Sequence, residues 1–414
     1  MDNVAPRVGF AWDVRDDAKT VVRGAYGIFF RPIPLNIQRF TGNTAAFRSL
    51  ATSISDPLSF ENPYGNTGGS PFPWTPVTPS GLKTFVFNKP VTTSALIPHA
   101  GTSYVQEWNL TAERQLTRSL GASIAYIGNR MVKGMDSTEA NPAIYIPGKS
   151  TEANVNSRRP YAGLASVQSV RDFQFSNYNA LQVTVNQRAG KGLTLISNYT
   201  WSKCMDNDSA TIGGITVINK FNVNADYARC DFNVGQLANI SLVYDVPNMP
   251  WFHGFTDRAF NHWQVMTITA VRSGGDYDIY SGIDNSLSGP TSNSGTNDLT
   301  DRVPGVSIAR PSGASKLAEY FNTVAYRENA LGTFGNSGRN SMVGPGNFEM
   351  DAGLLKNFPI TQRFDLALKA EFFNLPNHTN LGNPGNTYLQ PSSFGKIQSA
   401  GPPCVIQLSG RLTF

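Results

Sequence analysis

Between Arg363 and Asn374 the chain reads Arg-Phe-Asp-Leu-Ala-Leu-Lys-Ala-Glu-Phe-Phe-Asn, and its last ten residues run from Val405 to Phe414. In the first stretch Phe364, Leu366, Leu368, Ala370 and Phe372 hold one parity, while Arg363, Asp365, Lys369 and Glu371 hold the other. Successive side chains of a strand point to opposite faces, so this segment folds with one wholly apolar face and one nearly wholly charged face. The closing segment repeats the design, Ile406, Leu408, Leu412 and Phe414 alternating with Gln407, Ser409, Arg411 and Thr413. For a single strand, packing on a soluble core satisfies the pattern. The rest of the chain has to decide between a core and a lipid phase.

The same alternation recurs in pairs. Arg7 to Asp13 and Thr20 to Phe30 are joined by the short turn Val14 to Lys19, with Val8, Phe10, Trp12, Val22, Tyr26, Ile28 and Phe30 on one face. Tyr104 to Leu116 and Leu120 to Arg130 are separated only by Thr117 to Ser119, and Gln174 to Arg188 and Leu193 to Lys203 turn through Ala189-Gly190-Lys191-Gly192. Leu237 to Val246 pairs with Trp263 to Ser273, the latter less cleanly patterned because Met266, Ile268 and Ala270 oppose Val265 and Val271. Phe348 to Phe358 pairs with the segment quoted first. Between the pairs lie long Gly-, Pro-, Ser- and Asn-rich connections, near 31–102, 131–166, 204–230, 274–345 and 375–403, the first containing Pro71, Pro73, Pro76 and Pro79. Loops of that length argue against a compact soluble domain.

The pattern predicts about 11 strands, with short turns at one end of the sheet and long loops at the other. A β-sandwich has no reason to keep every long loop on one side. A membrane barrel does, because its turns are short on the periplasmic side and long outside. Composition agrees: 40% of residues are hydrophobic and 15% charged, mean hydropathy is -0.25, and no apolar run approaches the roughly 18 residues of a membrane helix. Aromatic residues gather at strand ends. Trp12, Trp263, Phe358, Phe364 and Phe414 fall at the short-turn boundary, and Phe30, Tyr104, Tyr126, Tyr199, Trp201, Phe348 and Phe372 at the other. Such girdles are expected where amphipathic rings settle at headgroup level.

Chemical signals are sparse. His99, His253, His262 and His378 lie in predicted loops or near turns without metal-ligand spacing, and neither a nucleophile elbow nor a P-loop occurs. We expect no catalytic, cofactor-binding or metal site. Asp206, Asp208, Asp276, Asp278, Asp284, Asp298 and Asp301 offer oxygen ligands for calcium, but their spacing matches no EF-hand, and solvated loop carboxylates are the expectation. The net charge of +5 is scattered singly, which speaks against nucleic acid and fits anionic headgroups. Arg363, Asp365, Lys369, Glu371, Glu107, Glu113 and Arg188 would line a polar interior and pair laterally. Cys204 and Cys230 flank one predicted loop, where a bridge across its base and two unpaired thiols are both open readings, and Cys404 is left over. Residues Met1 to Val4 lead straight into strand-like sequence, without the basic and apolar regions of a signal peptide.

Ser176-Asn-Tyr-Asn-Ala-Leu-Gln182, Tyr199-Thr-Trp-Ser-Lys203, Asp226-Tyr-Ala-Arg229, Gly332-Thr-Phe-Gly-Asn336, Gly338-Arg-Asn340, Ala370-Glu-Phe-Phe-Asn-Leu375 and the terminal Phe414, in this order and spacing, resemble the C-terminal β-barrel of TonB-dependent outer-membrane receptors of the Oar-like group. The resemblance implies a transmembrane antiparallel up-and-down β-barrel, with residues 1–414 as the C-terminal half of a barrel of about 22 strands. It implies an N-terminal plug contacting TonB, which this sequence lacks along with a signal peptide, so a fragment or truncated frame is expected. It further implies a bacterial outer-membrane location, a lipid partner, uptake of an unidentified ligand with TonB acting only through the plug, and recognition of Phe414 by the barrel-assembly machinery. Two other functions fit the residues: a self-contained passive porin, and a secreted β protein binding glycans through its loops.

Overall fold

The computed structural model describes residues 3–414 apart from 33–58, 60, 63, 65–77, 79, 85, 88, 98, 191, 211–213, 290–297 and 362. The predicted cluster of Pro71, Pro73, Pro76 and Pro79 and the turn residue Lys191 lie outside the described residues.

Eleven strands follow one another as a meander: β1 (Arg7–Asp13), β2 (Thr20–Arg31), β3 (Ser103–Gln115), β4 (Leu120–Glu139), β5 (Leu164–Gly190), β6 (Leu193–Asp206), β7 (Gln236–Asp245), β8 (Trp263–Arg272), β9 (Asn347–Pro359), β10 (Asp365–Phe373) and β11 (Val405–Thr413). Each pairs antiparallel with its neighbour in sequence. The short strand Val91–Leu96 leaves this path and pairs in parallel with β5. The sheet is therefore not the barrel that the pattern and the resemblance imply. It is open: among the described residues β1 pairs only with β2, and β11 only with β10. The reason is parity. In a meander of eleven antiparallel strands the first and last run in the same direction and cannot close on each other as an antiparallel pair.

Register fixes the faces. One row runs from Trp108 through Tyr26 on one side and Gly128 on the other; a second runs Tyr244, Val265, Leu354, Ala370, Leu408 across five strands. On β8 the row takes Val265, Thr267, Thr269 and Val271, which resolves the pattern left ambiguous by the sequence. Among the described residues the apolar face has no second layer against it: Val8, Phe10, Trp12, Leu110, Ile124, Trp201, Ile406 and Leu408 are all exposed, Leu408 by 77%. The opposite face carries Arg23–Glu113 at 2.9 Å and Lys369–Glu371 at 2.6 Å, along with the apolar Ile196, Ile268 and Leu355.

Two strands outrun their expected limits. β4 continues to Glu139 and β5 begins at Leu164, so both ends of the predicted loop 131–166 belong to a tall hairpin with register shifts near Gly134, and 140–163 connect its strands. From Gly134 to Glu139 every residue is buried. Both faces are packed there, so the alternation that announces a strand is absent.

Candidate functional site

The buried apolar residues of this chain sit mainly in the loops. Tyr277, Ile279, Phe321, Tyr326, Met342 and Phe394, drawn from the β8–β9 and β10–β11 connections, form one cluster. Phe394 meets Phe321 edge-on at 5.2 Å and Tyr388 at 5.5 Å. Edge-to-face rings add to their area burial, so the long loops at this end hold a core of their own and form an ordered cap.

The segment Gly332–Asn340 fastens the cap. Gly335 has φ +80°, and a Cβ there would lie 2.0 Å from the Leu299 carbonyl oxygen, so backbone passes where no side chain fits. From this turn Arg339 donates to the carboxylates of Asp206 (2.7 Å) and Asp231 (2.9 Å), the Ser209 hydroxyl (2.7 Å) and the Asp226 carbonyl (3.0 Å). The guanidinium and Asp206 are both buried. Asn340 continues the join, its amide donating to Asp278 (2.5 Å) and its side chain to the Arg229 carbonyl (2.7 Å). A disulfide links Cys204 to Cys230, with Cα atoms 5.4 Å apart, and closes the β6–β7 loop beneath Arg339. A planar fork suits this junction, because it serves carboxylates and carbonyls from several chain segments at once.

The tip of the β4–β5 hairpin is also polar and buried. Glu139 accepts from the amides of Asn141 (2.7 Å) and Val167 (2.8 Å) and lies 3.5 Å from Arg159. Asn141 donates to the Ala165 carbonyl at 3.0 Å, and Lys220 reaches from the neighbouring loop to Ser288 (3.0 Å) and the Gly289 carbonyl. Burial pulls Lys220 below the usual lysine range, against Asp284 and Asp298. Beside the aromatic cluster opens a hollow of about 970 Å³ whose lining includes Glu319, Thr323, Tyr388, Phe394 and Lys396. The cap is thus a preorganised surface of rings, amides and charges able to contact a solute from outside.

Burial pushes the carboxyls of Asp226 and Asp298 up to about 6, against hydrogen bonds from the Ile218 and Ser286 amides, respectively. A carboxyl with a raised folded-state pKa binds its proton more tightly when folded. Its contribution is complete below the ordinary value of 3.8 and is lost as pH rises through about 6. Amides of 215–230, 284–289 and 298–300 are expected to exchange several-fold more slowly at pH 5 than at pH 7.5 after intrinsic-rate correction. Equal or reversed protection would contradict burial as the ruling effect.

The residues singled out from sequence fall in two places. Trp12, Trp201, Trp263, Phe358 and Phe372 lie on the apolar face of the sheet, Trp263 opposite Lys356, Phe358 opposite Leu366 and Phe372 opposite Ile406, while Phe364 stands in the turn just before β10. Phe414 stands 6.5 Å from Phe364 and is 90% exposed. His262 immediately precedes β8, at the short-turn end, and His378 packs edge-on against Phe348 at 5.6 Å. Asp206, Asp208, Asp276, Asp284, Asp298 and Asp301 are buried rather than solvated, most of them within the cap's hydrogen-bond network. Among the described residues no group of three or more His, Cys, Asp or Glu is arranged to hold a metal ion. Sequence reasoning missed Arg339. Its signal was the Gly-Arg-Asn triplet in a loop, with short residues around one cation.

A family model described as "Outer membrane beta barrel domain" matches residues 1–407. Among solved structures, the outer membrane transporter YddB from Escherichia coli superposes with a TM-score of 0.52 at 8% identity, covering 99% of this chain and 41% of that one. The FrpB iron transporter from Neisseria meningitidis gives 0.45 at 10% identity, with 99% and 38% covered. The ferripyoverdine receptor of the Pseudomonas aeruginosa outer membrane gives 0.45 at 12%, with 99% and 33% covered. At 8% identity the likeness to the YddB transporter is one of fold. The chain spans less than half the length of these proteins. No curated protein sequence matches it.

Proposed function

Because this chain belongs to the outer membrane β-barrel domain family and resides in the bacterial outer membrane, we propose that residues 1–414 are the C-terminal part of the membrane sheet of a TonB-dependent receptor of the Oar-like group. Its role is non-catalytic: the sheet carries an extracellular cap that meets a ligand, and uptake draws energy from TonB through a plug outside these residues. The observation that supports this best is the pair of like-directed edges that have no further partner among the described residues, on a sheet whose apolar face is exposed. In hydrocarbon, unpaired edge groups cost several kcal/mol each, so further strands are needed on both sides.

On this reading the six girdle residues, Trp12, Trp201, Trp263, Phe358, Phe364 and Phe372, sit at headgroup level. The Cys204–Cys230 bridge is retained in the oxidising exterior, and Phe414 presents the barrel-assembly machinery with an exposed aromatic terminus. The test is made on native outer membranes, probed with an antibody to the cap. A band well above 45.0 kDa that cross-links to TonB is the expected result. A 45.0 kDa band, or a larger one that never cross-links to TonB, would overturn the proposal.

A further inference from the structure

At the short-turn end the connections are mostly brief and polar, such as Val14 to Lys19 with two Asp, one Arg and one Lys. The connection from Val246 to His262 differs. It contains a short helix, Phe255–Phe260, and leaves Met249, Trp251, Phe255 and Phe260 exposed, Phe255 by 84%. Phe252 stacks on Phe260 at 5.0 Å, and Trp251 stands 6.2 Å from Phe252.

This is not a loose segment that happens to show its rings. The buried Asn261 side chain accepts from the Met249 amide (2.8 Å) and donates to the Met249 carbonyl (3.1 Å) and to Asp257 (2.6 Å). His262, at φ +63°, donates its amide to Asn248 (2.9 Å) and sets its ring 3.3 Å from Asp257. Hydrogen bonds from Asn261 and then His262 hold the Asp257 carboxyl below its ordinary range. The turn is braced, and it is braced with its rings outward.

Its base joins the apolar face of the sheet. Lys356 lies on that row between Trp263 and Leu368, is buried, and donates to the Asn261 carbonyl. Its ammonium lies over the rings of Trp263 (5.1 Å) and Phe358 (4.9 Å). The exposed aromatic turn is therefore continuous with the lipid-contact surface, at the level where that surface meets water.

We infer that Val246 to His262 is an interfacial anchor lying on the phospholipid of the periplasmic leaflet. Trp251, Phe255 and Phe260 enter the boundary between headgroups and acyl chains, and Arg258 and His253 reach phosphate. Aromatic rings with a neighbouring cation favour that zone, which is half apolar and half wet. A braced turn of this kind fixes the depth and tilt of β7 and β8 in the membrane.

The test is spin-label accessibility in outer membranes carrying the protein, in a Cys404→Ser background that removes the free thiol. Labels are placed at Phe255→Cys and, separately, Trp251→Cys. Leu408→Cys serves as the lipid reference and Lys316→Cys, in an exposed outer loop, as the aqueous one. The ratio of oxygen to nickel-chelate collisions at Phe255 is expected to exceed that at Lys316 several-fold and to approach that at Leu408. A ratio equal to the Lys316 value overturns the inference. So does protection from both reagents, which means that protein covers the turn. A low ratio at Leu408 itself would instead count against the placement of the whole sheet, so the two failures are distinguishable. Both labelled positions are exposed, and Trp251 keeps the test open if the Phe255 variant assembles poorly.

Discussion

Replacing Arg339 by methionine is expected to open the loop cap while leaving the sheet in place. Arg339 serves carboxylates from the end of β6 and from the loop after Cys230, and it also holds the Asp226 carbonyl. Methionine fills much of the space but leaves Asp206 buried without its counter-charge. Removing one partner of a buried pair costs roughly 3–5 kcal/mol, mostly because the remaining charge is stranded. Expressed as amide exchange, that is a loss of protection of roughly a hundredfold or more across 204–210 and 214–231. The β8 and β9 amides should be unchanged, because their ladder lies outside the network. Arg339→Lys should fall between, since a point charge can meet one carboxylate but cannot fork to a carbonyl as well. If the methionine variant exchanges like the parent, Arg339 does not hold the cap. If β8 and β9 loosen equally, cap and sheet form one cooperative unit, contrary to the separate loop core described above.

The sheet was legible because one rule governs it. Wherever one face meets an apolar phase and the other meets water, parity is visible in the residues, and Phe364 to Phe372 or Val8 to Trp12 could be assigned to a face before any register was known. The reading weakened where both faces see similar surroundings. On β8 the shared row is half threonine, Thr267 and Thr269, while Ile268 points to the polar side, so only pairing with β7 and β9 identifies the face. It failed at the upper hairpin, where Met135 to Glu139 are buried on both sides and the Asp136 and Glu139 carboxylates are bonded internally. Closure was misread for another reason. Alternation reports what each face touches and carries no information about what lies beyond an edge, so an open and a closed sheet have the same signature. The cap was least legible. Its carboxylates resembled solvated loop charges, and only folding brings Asp206, Asp226 and Asp231 around an arginine more than a hundred residues later.

Arginine introduced at Leu354 and at Leu355 should give opposite results, although the two positions are adjacent. Leu354 lies mid-row on the bare face, flanked by Val265 and Ala370. Leu355 lies on the other face, flanked by Gln264 and Lys369. For Leu354→Arg the guanidinium must sit in hydrocarbon or drag water and headgroups toward it, and near the midplane of a membrane β-sheet this costs about 2–4 kcal/mol. For Leu355→Arg the side chain enters a polar, hydrated face. There the cost is limited to repulsion from Lys369 across the ladder, about 0.2–1 kcal/mol, eased by Glu371, which holds Lys369 at 2.6 Å. Denaturant titration of the membrane-inserted protein should show a clear loss of stability for the first variant and little for the second. A soluble protein with a wet outer surface on the Leu354 side predicts near neutrality for both, because an arginine replacing an exposed leucine on a hydrated strand disturbs little. Substantial loss at both positions would mean that the two faces are equally dry, as in a sheet buried between two layers. Only the asymmetric result fits a sheet with lipid against Leu354 and water against Leu355, and its sign is fixed by a register that moves every side chain to the other face if it slips by one residue.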